Sequence, residues 1–401
     1  MNNWIESLYR IAQKKKRTII GLMSGTSMDG LDIALCEIEG SGTNSHIRPI
    51  SFDTIPYSKE WKVRLSAVSS PKEINSGLLC KINASLAREH ADMINQFLQS
   101  RKINSTEIDL IGSHGHSFFH APADHSVHGD ISSTLQIGDA DHIALQTGII
   151  TVSDFRQKNI AAGGEGAPLA PFGDVLIFGE EEKDVMLLNI GGIANFSFIP
   201  ARSQRCQLIF GDTGPGNCLM DSWISRHLPE VTYDKDAHWA SQGTASPLLL
   251  RELLNDPYFR KPFPKSTGRE LFNMDFVLSA INKSNSNDLH WTDILSTLNT
   301  FTADSIILSL QQIIRKNIPT QIYISGGGKH NPLLMERICI ALEKENIMLR
   351  DTMEKGIRAD AKEAVIFAML ANEAVAGNIA DWAKEYDPLL PIGMGKISFP
   401  G

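Results

Sequence analysis

The chain has little cysteine, no long apolar run and no excess of positive charge. Of its 401 residues only five are cysteine: Cys36, Cys80, Cys206, Cys218 and Cys339. They are odd in number, scattered, and form no C-x-x-C pair. That excludes a zinc ribbon, argues against a disulfide framework and fits a reducing cytoplasm. No apolar stretch approaches the roughly 18 residues needed to span a bilayer. Near the N-terminus, Trp4, Leu8 and Ile11 stand at helical spacing, and Lys14, Lys15, Lys16 and Arg17 follow them. A signal peptide has the opposite order, so a short amphipathic helix leading into a first strand is expected. Thirty-eight Lys and Arg against 46 Asp and Glu give a net charge of −8. Such a surface argues against nonspecific binding to nucleic acid or to an anionic membrane. Three signature loops are also missing: G-x-x-x-x-G-K-[ST], a Rossmann G-x-G-x-x-G after a strand, and G-x-S-x-G. Their absence disfavours a P-loop NTPase, a nicotinamide dehydrogenase and a serine hydrolase.

Apolar residues make up 42% of the chain and charged residues 21%, ample for packed cores in two or three domains. Strand-like runs alternate with helical patterns, which indicates α/β. Residues 18–23 and 31–38 are apolar and flank a polar, glycine-bearing turn at 24–30. Residues 185–188 and 193–199 flank Asn189, Ile190, Gly191 and Gly192 in the same way. Each half therefore opens with a hairpin, as if one domain plan were used twice. The Gly- and Pro-rich segment 161–171 marks the boundary. Residues 1–160, with part of 377–401, form one expected lobe, and 161–376 the other.

Glycine turns end strand-like runs at 24–30, 189–192, 211–217 and 325–331. Glycine allows close backbone approach, and unpaired amides at such turns bind phosphate. Four of them, two per half, point to a nucleotide gripped between lobes. Duplicated hairpin phosphate loops are the plan of the actin, hexokinase and sugar-kinase superfold. The candidate nucleotide contacts are Ser24, Gly25, Thr26, Ser27, Met28, Asp29, Gly30 and Leu31; Gly191 and Gly192; Gly214, Gly216 and Asn217; and Gly326, Gly327, Gly328 and Asn331. Asn331 also reads as a helix N-cap before Pro332.

Asp212 ends an apolar run beside one of these turns. A carboxylate there suits a base that deprotonates an attacking hydroxyl or water, or a helix cap. Asp29 reads equally as a turn-stabilising side chain or as a group near Mg²⁺-bound phosphates. His114, His116 and His120 cluster; on a regular strand His114 and His116 share a face, and ligand contacts or structural hydrogen bonds suit them better than a metal. Residues 264–270, with Lys265, Ser266, Thr267 and Arg269, suit either an anion or a surface loop.

Residues 21–32, 112–115, 154–156, 161–169, 188–192, 214–217, 264–270 and 326–328 together resemble the ordered motifs of the anhydro-N-acetylmuramic acid kinases. The resemblance runs from about residue 18 into the C-terminal region. It implies an ATP-dependent, Mg²⁺-using cytoplasmic enzyme of peptidoglycan recycling with an actin/hexokinase-like fold of duplicated ribonuclease H-like domains, expected as a homodimer. Its substrate would be 1,6-anhydro-N-acetylmuramic acid. Water would open the anhydro ring and O6 would take the γ-phosphoryl group, giving N-acetylmuramic acid 6-phosphate and ADP. Asp212 matches the family's catalytic base, Asn195 a sugar contact and Glu363 a substrate-binding glutamate. Ser117, Gly164, Glu165 and Gly166 fall in substrate-side motifs, and Mg²⁺ is expected near Asp29 and Asp212. His116 and Ser117 stand where the family usually has glutamine and threonine, and Phe118 and Phe119 are more apolar than usual. A kinase for another amino sugar and an ATP-gated binding protein are the competing readings.

Overall fold

The structure is a computed structural model that describes residues 2–25, 28–68, 75–121, 123, 129–204, 206–345, 347, 349–378, 382–383, 386 and 392–401. Twelve strands are described: β1 Lys16–Ser24, β2 Gly30–Glu39, β3 His46–Pro56, β4 Leu110–Ala121, β5 Ser133–Ile137, β6 Thr151–Ser153, β7 Asp184–Ile190, β8 Ile193–Ile199, β9 Ile209–Pro215, β10 Thr320–Ser325, β11 Leu349–Asp351 and β12 Lys396–Ser398. The chain divides into two compact units, Met1–Phe178 with Lys355–Gly401, and Gly179–Glu354.

In the first unit the sheet runs β12-β6-β4-β1-β2-β3, with β5 paired to β4. β1, β2 and β3 are antiparallel neighbours, whereas β1, β4 and β6 are parallel. Strand alternation sends Ile20 and Leu22 of β1 to one face, where they join Leu86, Ile94 and Phe97 of helix Ser76–Ser100 in a core. The opposite face is covered by helix Lys362–Val375. This helix comes so close that a Cβ on Gly21 would lie 1.8 Å from the Ala364 carbonyl oxygen, and one on Gly112 2.2 Å from that of Phe367. Glycine is obligatory at both positions because helix backbone occupies the space of a side chain. The first helix, Asn3–Gln13, forms as its spacing suggests and buries Ile11.

The second unit repeats the plan. Its sheet is ordered β11-β10-β7-β8-β9, with β7, β8 and β9 antiparallel and β7, β10 and β11 parallel. With β5 and the edge strand β12 set aside, both units share the order third-second-first-fourth-fifth strand, the ribonuclease H-like arrangement of the actin/hexokinase-like fold. Met186, Leu188, Phe196 and Ile322 meet Ile306 and Leu310 of helix Trp291–Ile313 and Leu334 and Ile338 of helix Pro332–Glu343. A second core in this unit is rich in aromatics, with Trp223, Tyr258, Phe272 and Phe301.

Two expectations need adjusting. Helix Lys362–Val375 was expected in the lobe 161–376, but it packs against β1, β2 and β4 of the first unit. Helix Ala170–Phe178 likewise stays with the first unit, so the division falls at 178/179 rather than at the glycine-rich segment. No helix among the described residues is long and apolar enough to cross a membrane.

Candidate active site

Asp212 lies inside β9, whereas residues 211–217 read as a turn in the sequence. The segment is a strand because β8 supplies pairing along it. The register shifts between Ala194 and Asn195, so Asn195 stands opposite Asp212 and Thr213 is the extra residue of a bulge. The Thr213 hydroxyl, turned inward, donates to the Ala194 carbonyl at 3.1 Å. Bulges re-aim side chains beside active sites, and this one sits between two of the expected site residues.

The loop at 264–270 holds Asp212 in place. The Thr267 amide donates to Asp212 Oδ2 at 2.8 Å, the Asp212 amide donates to the Lys265 carbonyl at 2.9 Å, and the Tyr258 hydroxyl donates to the Asp212 carbonyl at 2.6 Å. Gly211 is required for this approach, since a Cβ there would lie 2.8 Å from the Lys265 oxygen. Oδ1 of Asp212 has no hydrogen-bond partner among the described residues and is available to a ligand. Burial raises the carboxyl above the ordinary carboxylate range; the Thr267 amide opposes this and Glu270 adds to it. A carboxylate fixed through one oxygen, open at the other and shifted upward has the attributes of a general base.

Three of the four glycine turns come together in this unit. The Gly191 carbonyl accepts from Asn217 N–H at 2.8 Å, and the Gly192 carbonyl accepts from Gly216 N–H at 2.9 Å and Cys218 N–H at 3.1 Å. A Cβ on Gly216 would be 2.2 Å from the Gly191 oxygen, and one on Gly326 2.5 Å from the Ile190 oxygen. These glycines let three backbone segments touch. Gly191 differs: a Cβ there would meet nothing closer than 3.6 Å, so its outer side is open. Gly214 has φ +141°, a backbone that L side chains rarely adopt. Asn331 caps helix Pro332–Glu343 by accepting from Leu334 N–H and also accepts from Asn299, so its side-chain oxygen is engaged in structure. Next to Asn217 and Gly327 lies a cavity of about 630 Å³, lined also by Met220, Asp221, Tyr233, Asp236 and His330. Asp221 is pushed up to about 6 by burial, with Arg269 opposing. No sequence motif marks Asp221, Tyr233 or Asp236 as wall residues; only the fold gathers them.

In the first unit the segment 24–31 divides. Ser24 is fully buried; its hydroxyl pairs with Tyr57 Oη at 2.7 Å and His116 Nδ1 at 2.9 Å, and Tyr57 Oη pairs with His90 Nε2 at 2.6 Å. Leu31 points into the core, and a Cβ on Gly30 would lie 2.3 Å from the Ile55 oxygen. These three therefore serve the sheet. Gly25 accepts from Met28 N–H, Met28 has φ +56°, and the Asp29 carbonyl accepts from Tyr57 N–H. Thr26 and Ser27 lie outside the described residues.

His114 and His116 do not share surroundings, because Gly115 between them has φ +75° and breaks the alternation. His114 donates from Nδ1 to the Gly115 carbonyl and accepts from Arg156 Nε at 3.0 Å, the tautomer assigned from these bonds. Burial, followed by the Arg156 charge, takes its pKa down to about 3, so the ring is neutral. Arg156 reaches the Gly166 carbonyl at 3.4 Å. Its charge is also felt by Glu363, whose carboxyl burial raises, with Lys362 opposing and Asp32 adding. Lys362 pairs with fully buried Asp174 at 2.8 Å, which anchors the first turn of helix Lys362–Val375 and so sets where Glu363 stands. Glu165 and His120 are within electrostatic reach of each other. Ser117 pairs with Gln136 across β4 and β5, and Gly164 N–H donates to the Asn159 carbonyl. Arg156 and Asp32 were legible only as members of motifs, not as site groups. Among the described residues no three His, Cys, Asp or Glu gather as a metal site.

The buried hydroxyl–imidazole chain allows a first prediction. Tyr57→Phe removes the hydroxyl shared by Ser24 and His90 and leaves both short of a partner where water does not reach. Such a loss costs about 1–3 kcal/mol. Urea denaturation should show a lower midpoint with unchanged slope, and an unchanged midpoint would show that the chain of bonds contributes nothing to stability.

The sequence profile described as "Anhydro-N-acetylmuramic acid kinase" matches residues 17–383. A curated protein of that name from Pseudoalteromonas atlantica is 44% identical over 401 residues, covering 100% of each chain. Another, from Caldanaerobacter subterraneus subsp. tengcongensis, is 35% identical over 397 residues, covering 98% of this chain and 100% of its own. Among solved structures, a ROK family glucokinase from Streptomyces griseus in complex with glucose and AMPPNP matches at 13% identity and TM-score 0.34, covering 89% of this chain and 99% of its own.

Proposed function

Because the chain belongs to the anhydro-N-acetylmuramic acid kinase family, we propose that it opens 1,6-anhydro-N-acetylmuramic acid hydrolytically and phosphorylates O6, in cell-wall recycling. The observation that carries this reading is Asp212: held by the Thr267 amide on a bulged strand, opposite Asn195, in the unit where three glycine turns meet. ATP would place its phosphates against the open side of Gly191 and its nucleoside in the 630 Å³ cavity beside Asn217 and Gly327. Mg²⁺ would come with the phosphates and would neutralise their charge. Asn195 would contact the sugar from β8. In the first unit Glu363, Ser117 and the Gly164, Glu165, Gly166 segment would serve the substrate, with Glu363 placed by its Lys362–Asp174 anchor.

In the proposed reaction Asp212 takes a proton from water as the water oxygen bonds to the anomeric carbon. The bond from that carbon to O6 breaks, and O6 bonds to the γ-phosphorus as ADP leaves. Capture of O6 by phosphorus removes the need for an acid to protonate it, so one carboxylate suffices where an ordinary glycosidase needs two. The test is turnover with ATP and the anhydrosugar in ¹⁸O-water, sampled early against unlabelled product held in the same water, because reducing sugars exchange O1. Label should enter C1 and be absent from the phosphate. Label chiefly in released inorganic phosphate would show an uncoupled ATPase and overturn the mechanism.

A further inference from the structure

We propose that Arg269 is a catalytic residue that binds the terminal phosphoryl group of the nucleotide during transfer. This rests on the proposed kinase function but does not follow from it. The guanidinium stands over the second glycine turn: a Cβ on Gly192 would lie 3.4 Å from Arg269 Nη2 and 3.9 Å from Nε, where Gly191 beside it is open. The turn beneath is rigid, with both glycine carbonyls engaged by the amides of Gly216, Asn217 and Cys218. Arg269 makes no ion pair or side-chain hydrogen bond among the described residues, although its charge reaches Asp221 and Cys218. An arginine with an uncommitted fork of donors matches a tetrahedral phosphoryl group bidentately, which a lysine in its place cannot do.

The chain around it supports the role. Thr267, two residues earlier, holds Asp212 through its amide, so one loop sets both the base and the cation. The charge that develops as the phosphoryl group leaves ADP would therefore meet a cation carried on the same loop that holds the base. Removal of such a donor costs about 10²–10³-fold in kcat.

The experiment measures titration of the wild type, Arg269→Ala and Arg269→Lys with ADP and with a nonhydrolysable ATP analogue, together with kcat and thermal midpoints. For the wild type the analogue should bind more tightly than ADP. Arg269→Ala should abolish that preference, keep ADP affinity and thermal midpoint, and lose about 10²–10³-fold in kcat; Arg269→Lys should recover only part. If the wild type binds neither nucleotide, the kinase reading itself fails. If the wild type prefers the analogue and Arg269→Ala keeps both the preference and kcat, the assignment of Arg269 is overturned. A rise in anhydrosugar KM alone, with nucleotide binding unchanged, would overturn it in favour of a sugar-carboxylate contact.

Discussion

Asp212→Asn is expected to lower turnover by about 10²–10⁴-fold, the usual worth of a general base, while nucleotide binding persists. The substitution preserves the hydrogen bond from Thr267 N–H, since an amide oxygen accepts as a carboxylate oxygen does. It also leaves the Tyr258 and Lys265 bonds, which involve only the backbone of Asp212. What disappears is the capacity to take a proton. The fold should not suffer. Burial raises the carboxyl, so the ionised form is less favourable in the folded chain than in the unfolded one, and stability falls as pH rises through the raised value. The neutral asparagine escapes that loss. The same shift predicts the pH profile of the wild type: the acid limb of kcat/KM should lie above the ordinary carboxylate range and vanish from the residual activity of the variant. Near-normal turnover in a folded Asp212→Asn protein would remove this residue from the role of base.

The second large effect separates two glycines that look alike in the sequence. Gly191→Val should fold normally and bind a nonhydrolysable ATP analogue about 10–100-fold more weakly, the equivalent of one lost charge-assisted hydrogen bond. The valine has room in the protein, because nothing lies within 3.6 Å of its Cβ, but it fills the side on which phosphate would approach. Gly30→Val should behave in the opposite sense. Its Cβ would be forced to 2.3 Å from the Ile55 oxygen, so β2 and β3 must separate locally, at a cost of about 1–3 kcal/mol or more. Thermal denaturation should therefore register Gly30→Val, and calorimetric titration Gly191→Val. If Gly191→Val bound the analogue normally, the turn would be structural and the phosphates would lie elsewhere.

The amino-acid sequence alone determines the duplicated plan. Each opening hairpin is a local object, with strand-period apolar residues on either side of a glycine turn, and β1–β2 and β7–β8 form where that pattern stands. The cap at Asn331 with Pro332 after it is equally local, and so is the first helix. The family motifs also lie in contiguous runs, and the resemblance they carry is what named Asp212, Asn195 and Glu363, which stand outside the runs themselves.

Tertiary structure decided what depends on partners distant in the chain. Helix Lys362–Val375 shows in its sequence which positions are apolar, but not which sheet they will cover; backbone contact at Gly21 and Gly112 places it on the first unit. Asp212 looks like a turn residue until β8, seventeen residues away, pairs with it; its carboxylate is held by an amide at Thr267, fifty-five residues away, and raised by burial. Ser24 and Gly30 belong to a motif suggestive of phosphate binding, yet His116, Tyr57 and Ile55 commit them to the sheet. Propensity and periodicity are properties of neighbouring residues, whereas burial, pKa and the space around a missing Cβ are set by whatever the folded chain brings alongside.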